Sequence, residues 1–338
     1  MSNQNEPLVD TNNAPAACNY GGQAVIEGVM MRGSKALAVA VRNPEGEIVV
    51  HTEPLNAKVY GGRLAKTPFL RGLTLLWDAL GLGIKALLFS AEVALEEENE
   101  TVGGPNGEPA KVFEGPAQWG TVLLSLSFSI LLFFVLPTFV AHQTAVWLNL
   151  GESQIAENII EGVVRLALLV GYIWVIGLMP DIKRLYGYHG AEHKTINAYE
   201  AGAELTPETV AQFSLEHPRC GTAFLLTLVV ISILLYSVLP PMGLLLRIVS
   251  RIVLLPIIAG IAYEFLRFTA AHQDNAFIRF ITKPNLALQH LTTREPDKGM
   301  MEAAIAALEH VLAYEHGEEA VVEQTIMADT SLGHVVSS

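Results

Sequence analysis

Long apolar runs without charged side chains constrain this chain more than any other feature of its sequence. The segment Trp119–Ala141 has 23 residues and no charged side chain, which is long enough for an α-helix to cross a lipid bilayer. Only 16% of all residues are charged, against about 25% in typical soluble domains. These observations predict a polytopic membrane protein of mainly α-helical fold.

Three further segments are predicted to cross the bilayer. Ile159–Pro180 has charged residues only near its start, Gly221–Leu246 is uncharged but interrupted by Pro240 and Pro241, and Ile248–Phe268 contains several charges. A proline pair ends a helix because it removes backbone donors and clashes with the preceding turn. We therefore predict about four transmembrane helices, the third ending near the prolines.

The distribution of basic residues predicts the orientation of the chain in the membrane. Nine Lys and Arg residues precede residue 112, four lie in 181–220 and five lie from Arg267 onward, whereas 142–158 has none. Because cytoplasmic loops retain positive charge, we expect both termini and the 181–220 segment to face the cytoplasm. The net charge of −13 argues against a nucleic-acid partner, which leaves the lipid bilayer as the expected one.

The segments outside the spans differ in composition. Gln23–Met31 and Leu37–Arg42 are rich in β-forming residues, and the turn signal Asn43–Gly46 follows them. The N-terminal part is predicted to consist of a disordered tail at 1–20, a cytoplasmic β-element at 21–66, an amphipathic or interfacial helix at 67–95 and an acidic linker at 96–117. A membrane domain follows at 118–281, with a metal-site segment at 181–220. The chain is predicted to end with a C-terminal cytoplasmic segment at 282–316, which contains an amphipathic helix, and a disordered tail at 317–338.

One short motif points directly at chemistry. His189, Glu192 and His193 stand in an H-x-x-E-H arrangement. On a helix, positions i and i+4 share a face, so both imidazoles can reach one metal ion with the carboxylate beside them. The same spacing occurs in inverzincin peptidases, where two His bind zinc and the Glu activates water. We therefore predict His189 and His193 as ligands of a divalent metal, most simply zinc, and Glu192 as the catalytic residue.

A catalytic zinc needs a third protein ligand, and the sequence leaves three candidates open. His217 and Cys220 lie three residues apart just before the third span, and both residue types suit zinc. Their alternative role is structural, at a helix entrance. Glu264 lies inside an apolar span, where a carboxylate is costly and needs a partner. It is either the distant third ligand or the ion-pair partner of nearby Arg267.

Several runs of sequence resemble one known family. They are Gly-Gly-Gln-Ala-Val-Ile-Glu-Gly-Val-Met-Met-Arg at 21–32, Tyr-His-Gly-Ala-Glu-His-Lys at 188–194, His-Pro-Arg-Cys-Gly-Thr at 217–222 and Leu-Thr-Thr-Arg-Glu-Pro at 291–296. With these runs the chain resembles the bacterial family "domain of unknown function 1385" over roughly residues 20–315. The resemblance implies a multi-pass protein of the bacterial inner (plasma) membrane with a metal site, and implies no substrate.

Together these features predict a zinc-type hydrolase at the cytoplasmic face of the membrane, acting on an unidentified amide, ester or phosphoester. Two other classes of function remain open. The polar clusters of a non-catalytic scaffold or assembly factor would only hold cytoplasmic segments together. A small-solute or ion transporter would use Glu264 and Arg267, and a homo-oligomer would double its four spans.

Overall fold

The computed structural model describes residues 20–56, 67–72, 81–94, 116–149, 153–240 and 242–317. The predicted disordered tails and acidic linker lie almost entirely outside these residues. The helix predicted at 67–95 is described only at its two ends, of which the second is helical.

An antiparallel sheet of four strands, in the order β1-β2-β3-β4, forms the N-terminal part. The strands are β1 (Gly21–Val25), β2 (Gly28–Arg32), β3 (Ala36–Arg42) and β4 (Ile48–Pro54). Val25 pairs with Gly28, so Ile26 and Glu27 form a two-residue turn in which Glu27 has a positive φ of 51°. The small N-terminal β-element predicted from the sequence is therefore confirmed.

Both faces of this sheet are covered, because alternate residues of a strand point to opposite sides. Val39 and Val41 of β3 pack toward helix α1 (Gly83–Ala94). Ala38 and Ala40 face the other way, into a core shared with the C-terminal helix. The sheet is thus the middle layer of a helix–sheet–helix arrangement.

Helices make up the rest of the described chain. They are α2 (Pro116–Ile130), a π-helical segment (Leu131–Val135), α3 (Leu136–Trp147), α4 (Gln154–Ile176), α5 (Pro180–Glu200), α6 (Pro207–Val210), α7 (Gly221–Ser237), α8 (Leu244–Val253), α9 (Leu255–Ala271), α10 (Ala276–Thr292) and α11 (Lys298–His316).

Two of these helical stretches, Leu123–Trp147 and Ile155–Ile176, are long and apolar enough to cross a membrane. A third is present if α8 and α9, which meet at a bend of 47°, are counted as one span. α7 is apolar but has 17 residues, about 26 Å of helix against a hydrocarbon core of about 30 Å. The described helices therefore support two or three spans, and the predicted count of four is not confirmed.

The C-terminal helix α11 lies in the segment where the sequence predicted an amphipathic helix, at Met300–Tyr314, and it forms part of the core. Asp297 caps its first turn by accepting the N–H of Met300 at 2.9 Å, and Gly317 ends it with a left-handed conformation. Ala304, Leu308 and Val311 are buried against the sheet. α11 and β1 both pack against α5, the helix that carries the H-x-x-E-H motif.

Candidate metal centre

The H-x-x-E-H motif lies in the middle of α5, a 21-residue helix that begins at Pro180. Proline at the first helical position and Asp181 in the first turn both favour a helix start here. The rings of His189 and His193 face the same side, and their centroids are 4.4 Å apart. The helical spacing therefore brings the two imidazoles together.

Backbone carbonyls orient both rings. Nδ1 of His189 lies 2.9 Å from the Thr292 carbonyl oxygen, and Nδ1 of His193 lies 2.5 Å from that of Leu215. A carbonyl oxygen only accepts, so each Nδ1 carries the proton and each Nε2 of the neutral ring presents a lone pair. Nε2 of His193 is buried and has no hydrogen-bond partner among the described residues. Metal-binding histidines are commonly held in this way.

Cys220 completes a group of three ligand-type side chains. It is the N-cap residue of α7, and its Sγ lies 3.3 Å from Nε2 of His189 and 3.1 Å from the Thr222 hydroxyl. The ligand atoms of His189, His193 and Cys220 all lie within 4.8 Å of one another. Two imidazole nitrogens and a thiol form a set that zinc binds readily.

His217 lies beside this group but outside it. Its ring centroid is 5.6 Å from that of His193, and its Nε2 is buried without a hydrogen-bond partner among the described residues. Burial lowers the pKa of His217 to about 3, with smaller contributions from His193, Arg219 and His189. The main chain of His217 is held by Gln289, whose side chain bonds both its N–H and its carbonyl. A neutral imidazole is thus fixed next to the three candidate ligands.

Glu192 is buried on the sheet side of the group. Its side chain packs against the backbone of Gly22, and its Oε2 lies 3.9 Å from Nε2 of His189. Burial raises the pKa of Glu192, against the smaller opposing effects of His189 and the Gly22 backbone. A buried carboxyl group of raised pKa beside candidate metal ligands is a candidate for proton transfer.

Glu264 occupies a different place. Its carboxylate forms a two-pronged ion pair with the guanidinium of Arg71 and accepts the backbone N–H of Phe69 at 3.1 Å. In the part of the chain that the structure describes, it does not join the histidine–cysteine group. The partner that holds it lies almost 200 residues earlier in the chain, whereas the sequence pointed to Arg267.

Comparison with known proteins agrees with the sequence motifs. A family model described as "Protein of unknown function (DUF1385)" matches residues 67–314. The chain belongs to this DUF1385 family. It is similar to "Uncharacterized protein YqhQ" of Bacillus subtilis (strain 168), with 36% identity over 302 residues, or 88% of this chain and 93% of that protein. No solved structure matches it.

The DUF1385 match begins after the sheet, yet the sheet supplies a contact to the site that sequence reasoning missed. A Cβ on Gly22 would lie 2.9 Å from Cγ of Glu192 and 2.6 Å from the Met30 carbonyl oxygen. A glycine is therefore required at position 22 for this close approach. The turn residue Glu27 adds a second link, because its carboxylate pairs with Arg184 and accepts from Tyr188 at 3.2 Å.

Two residues within the motif also have roles that the spacing did not reveal. Gly190 packs so closely against the Arg294 carbonyl that a Cβ would clash with it. Lys194 donates to the carbonyls of Ala211 at 2.7 Å and Phe213 at 2.9 Å. It thereby holds the loop whose Leu215 carbonyl orients His193.

Proposed function

We propose that this chain is a zinc-dependent hydrolase of the membrane surface, with His189, His193 and Cys220 as the metal ligands. The observation that carries the proposal is the orientation of the two imidazoles. Each ring directs its Nδ1 to a backbone carbonyl, which leaves Nε2 available for a metal ion, and Nε2 of His189 lies 3.3 Å from Sγ of Cys220. Core histidines with only a packing role have no need of three convergent ligand atoms.

A zinc ion held by these residues would supply Lewis-acid activation of a water molecule. Glu192, whose Oε2 lies 3.9 Å from Nε2 of His189, would act as the general base that takes a proton from the attacking water. The raised pKa of Glu192 lets the carboxyl retain the proton and then deliver it to the leaving group as the bond to that group breaks. Amides, esters and phosphoesters all fit this sequence of proton transfers.

The membrane part of the proposal follows from the connections of the site. α5 directly follows the candidate span in α4, and Cys220 directly precedes α7, so the ligands lie where two apolar helices meet a polar region. The excess of Lys and Arg in 181–220 and toward both ends favours the cytoplasmic face of a bacterial plasma membrane. On this proposal α7 and the bent α8–α9 pair complete a domain of four spans.

Metal analysis of purified protein tests the ligand set. We expect about one zinc per wild-type chain and little in a His189→Ala/His193→Ala double variant or in Cys220→Ser. His290→Ala is the matched control, because His290 is exposed and pairs with Glu216. Wild type and double variant carrying equally little zinc would contradict the proposal.

The competing function is a scaffold in which the same group only ties segments together. The burial of Glu192 and His193 and the contact to the sheet at Gly22 favour that view. Glu192→Gln separates the two, because it keeps the size of the side chain and removes its basicity. A hydrolase predicts that a folded, zinc-loaded Glu192→Gln protein fails to rescue a strain lacking the gene. Full rescue would support the scaffold.

A further inference from the structure

A second buried polar cluster lies at the other end of the α4–α7 pair. Its charged members are Glu157, Glu161, Arg165, Arg247 and Arg251, which we call the arginine cluster. α7 starts at Cys220 and carries Tyr236, which contacts the arginine cluster, near its end. These two residues are therefore about 24 Å apart along the helix axis, so the arginine cluster is separate from the proposed zinc site.

Arg251 and Glu161 form the centre of the arginine cluster. Arg251 Nε and Nη2 lie 3.0 Å and 2.9 Å from the two oxygens of Glu161, and Nη2 also donates to Asn158 Oδ1 at 2.9 Å. The guanidinium lies 4.0 Å from the ring centre of Tyr236. Arg251 has no exposed surface at all, so this ion pair is fully enclosed.

Arg165 shares the same carboxylate. Its Nη2 donates to Glu161 Oε1 at 2.6 Å, and its Nε donates at 3.0 Å to the Phe133 carbonyl in the π-helical segment. π-helical segments occur often at functional sites. Because one carboxylate serves two guanidinium groups, Glu161 balances only half of the positive charge around it.

Arg247 has Glu157 as its ion-pair partner. Glu157 also lies 3.3 Å from Nδ1 of His142. Arg247 therefore shares this carboxylate with a histidine. Arg247 is 7% exposed, and its Nε has no hydrogen-bond partner among the described residues. Among the residues that the structure describes, the arginine cluster therefore sets three guanidinium groups against two carboxylates, and an uncompensated buried charge is costly.

The outer surface of α8 suggests what supplies the missing negative charge. Arg247 and Arg251 point inward, while the opposite face is exposed and apolar, formed by Leu245, Leu246, Val249, Ile252 and Val253. This is the reverse of a helix facing water, whose charged side is outside. Acyl chains fit such a face, and Arg247 lies on the same 10-residue helix.

We propose that the arginine cluster binds the phosphate group of an anionic phospholipid at Arg247, with the acyl chains over the apolar face of α8. Guanidinium groups bind phosphate oxygens through paired, charge-assisted hydrogen bonds. A headgroup of net charge −1 neutralises the excess. The proposal rests on the membrane placement of the apolar helices and uses no property of the zinc site.

Native mass spectrometry of the full-length protein released from detergent tests this binding. We expect dioleoylphosphatidylglycerol to bind more tightly than zwitterionic dioleoylphosphatidylcholine. Arg247→Gln should weaken phosphatidylglycerol binding by about tenfold or more, since a hydrogen bond to a charged group is lost. Arg279→Gln is the matched control, because Arg279 is exposed and contacts only backbone carbonyls.

A reciprocal variant covers the case in which Arg247→Gln does not fold. Glu157→Gln removes a competing carboxylate, so we expect it to bind phosphatidylglycerol more tightly than wild type. Equal binding of the two lipids by wild type, or binding of inorganic phosphate as tight as that of phosphatidylglycerol, would overturn the proposal. The His189→Ala/His193→Ala variant should lose zinc but retain lipid binding. Failure of the zinc proposal and failure of the lipid proposal are therefore distinguished by separate measurements.

Discussion

The backbone of Gly22 packs so closely against the buried side chain of Glu192 that a Cβ on Gly22 would lie 2.9 Å from Cγ of Glu192. Glu192 lies 170 residues later in the chain, on the helix that carries His189 and His193. The contact makes the N-terminal sheet part of the wall of the candidate metal centre. It also explains how a glycine far from the H-x-x-E-H motif can affect that motif.

Gly22→Ala should disturb this contact because the added Cβ has no room beside Glu192 and the Met30 carbonyl. Overpacking of this kind lowers the free energy of unfolding by about 1–3 kcal/mol. Denaturant unfolding in detergent measures the change. Gly21→Ala provides the control, since a Cβ at Gly21 meets nothing within 4 Å. Equal effects of the two variants would argue against a tight contact at Gly22.

Lys194→Met should weaken zinc binding although Lys194 is not a ligand. Without its hydrogen bonds to Ala211 and Phe213, the loop that orients His193 through Leu215 loses its anchor. Loss of such outer support typically reduces metal affinity about 10–100-fold, which competition with a chelator measures. Lys298→Met, which removes only an exposed ion pair with Glu208, should bind zinc like wild type.

Acid should destabilise the zinc-free protein in part through His217. Its pKa is about 3 in the folded chain against an ordinary value of 6.5, so the unfolded chain takes up a proton first as the pH falls below 6.5. Folding free energy from this group is present above pH 6.5 and is lost progressively toward pH 3, about 2 kcal/mol of it by pH 5. Unfolding of chelator-treated His217→Gln should lack this part of the acid sensitivity, whereas His290→Gln should retain it.

Glu264→Gln should leave the zinc content unchanged. The carboxylate is engaged by Arg71 and Phe69 rather than by the histidine–cysteine group, so its neutralisation affects only that contact. The zinc content of Glu264→Gln is measured together with that of Cys220→Ser, which is expected to lose the metal. Loss of zinc in Glu264→Gln at wild-type folding would restore Glu264 as the third ligand.

Patterns among residues close together in the sequence were sufficient to predict much of the secondary structure of this protein. Uncharged runs predicted apolar helices, alternating β-forming residues with a turn signal predicted the small sheet, and the i, i+4 spacing predicted two histidines on one helix face. Each of these depends on residues that are neighbours along the chain, where backbone geometry fixes the distance. The family resemblance was confirmed for the same reason, because its motifs are short and contiguous.

Tertiary structure decided the rest, since it depends on contacts between residues far apart in sequence. Which of Cys220, His217 and Glu264 lies within reach of the histidines is set by how α7, α9 and α5 pack. The pairing of Arg71 with Glu264 and of Gly22 with Glu192 has no periodic signal. The excess of arginine at Glu161 and Glu157 likewise appears only once α4 and α8 lie side by side, because charge balance in a buried cluster belongs to the packed helices and not to any one segment.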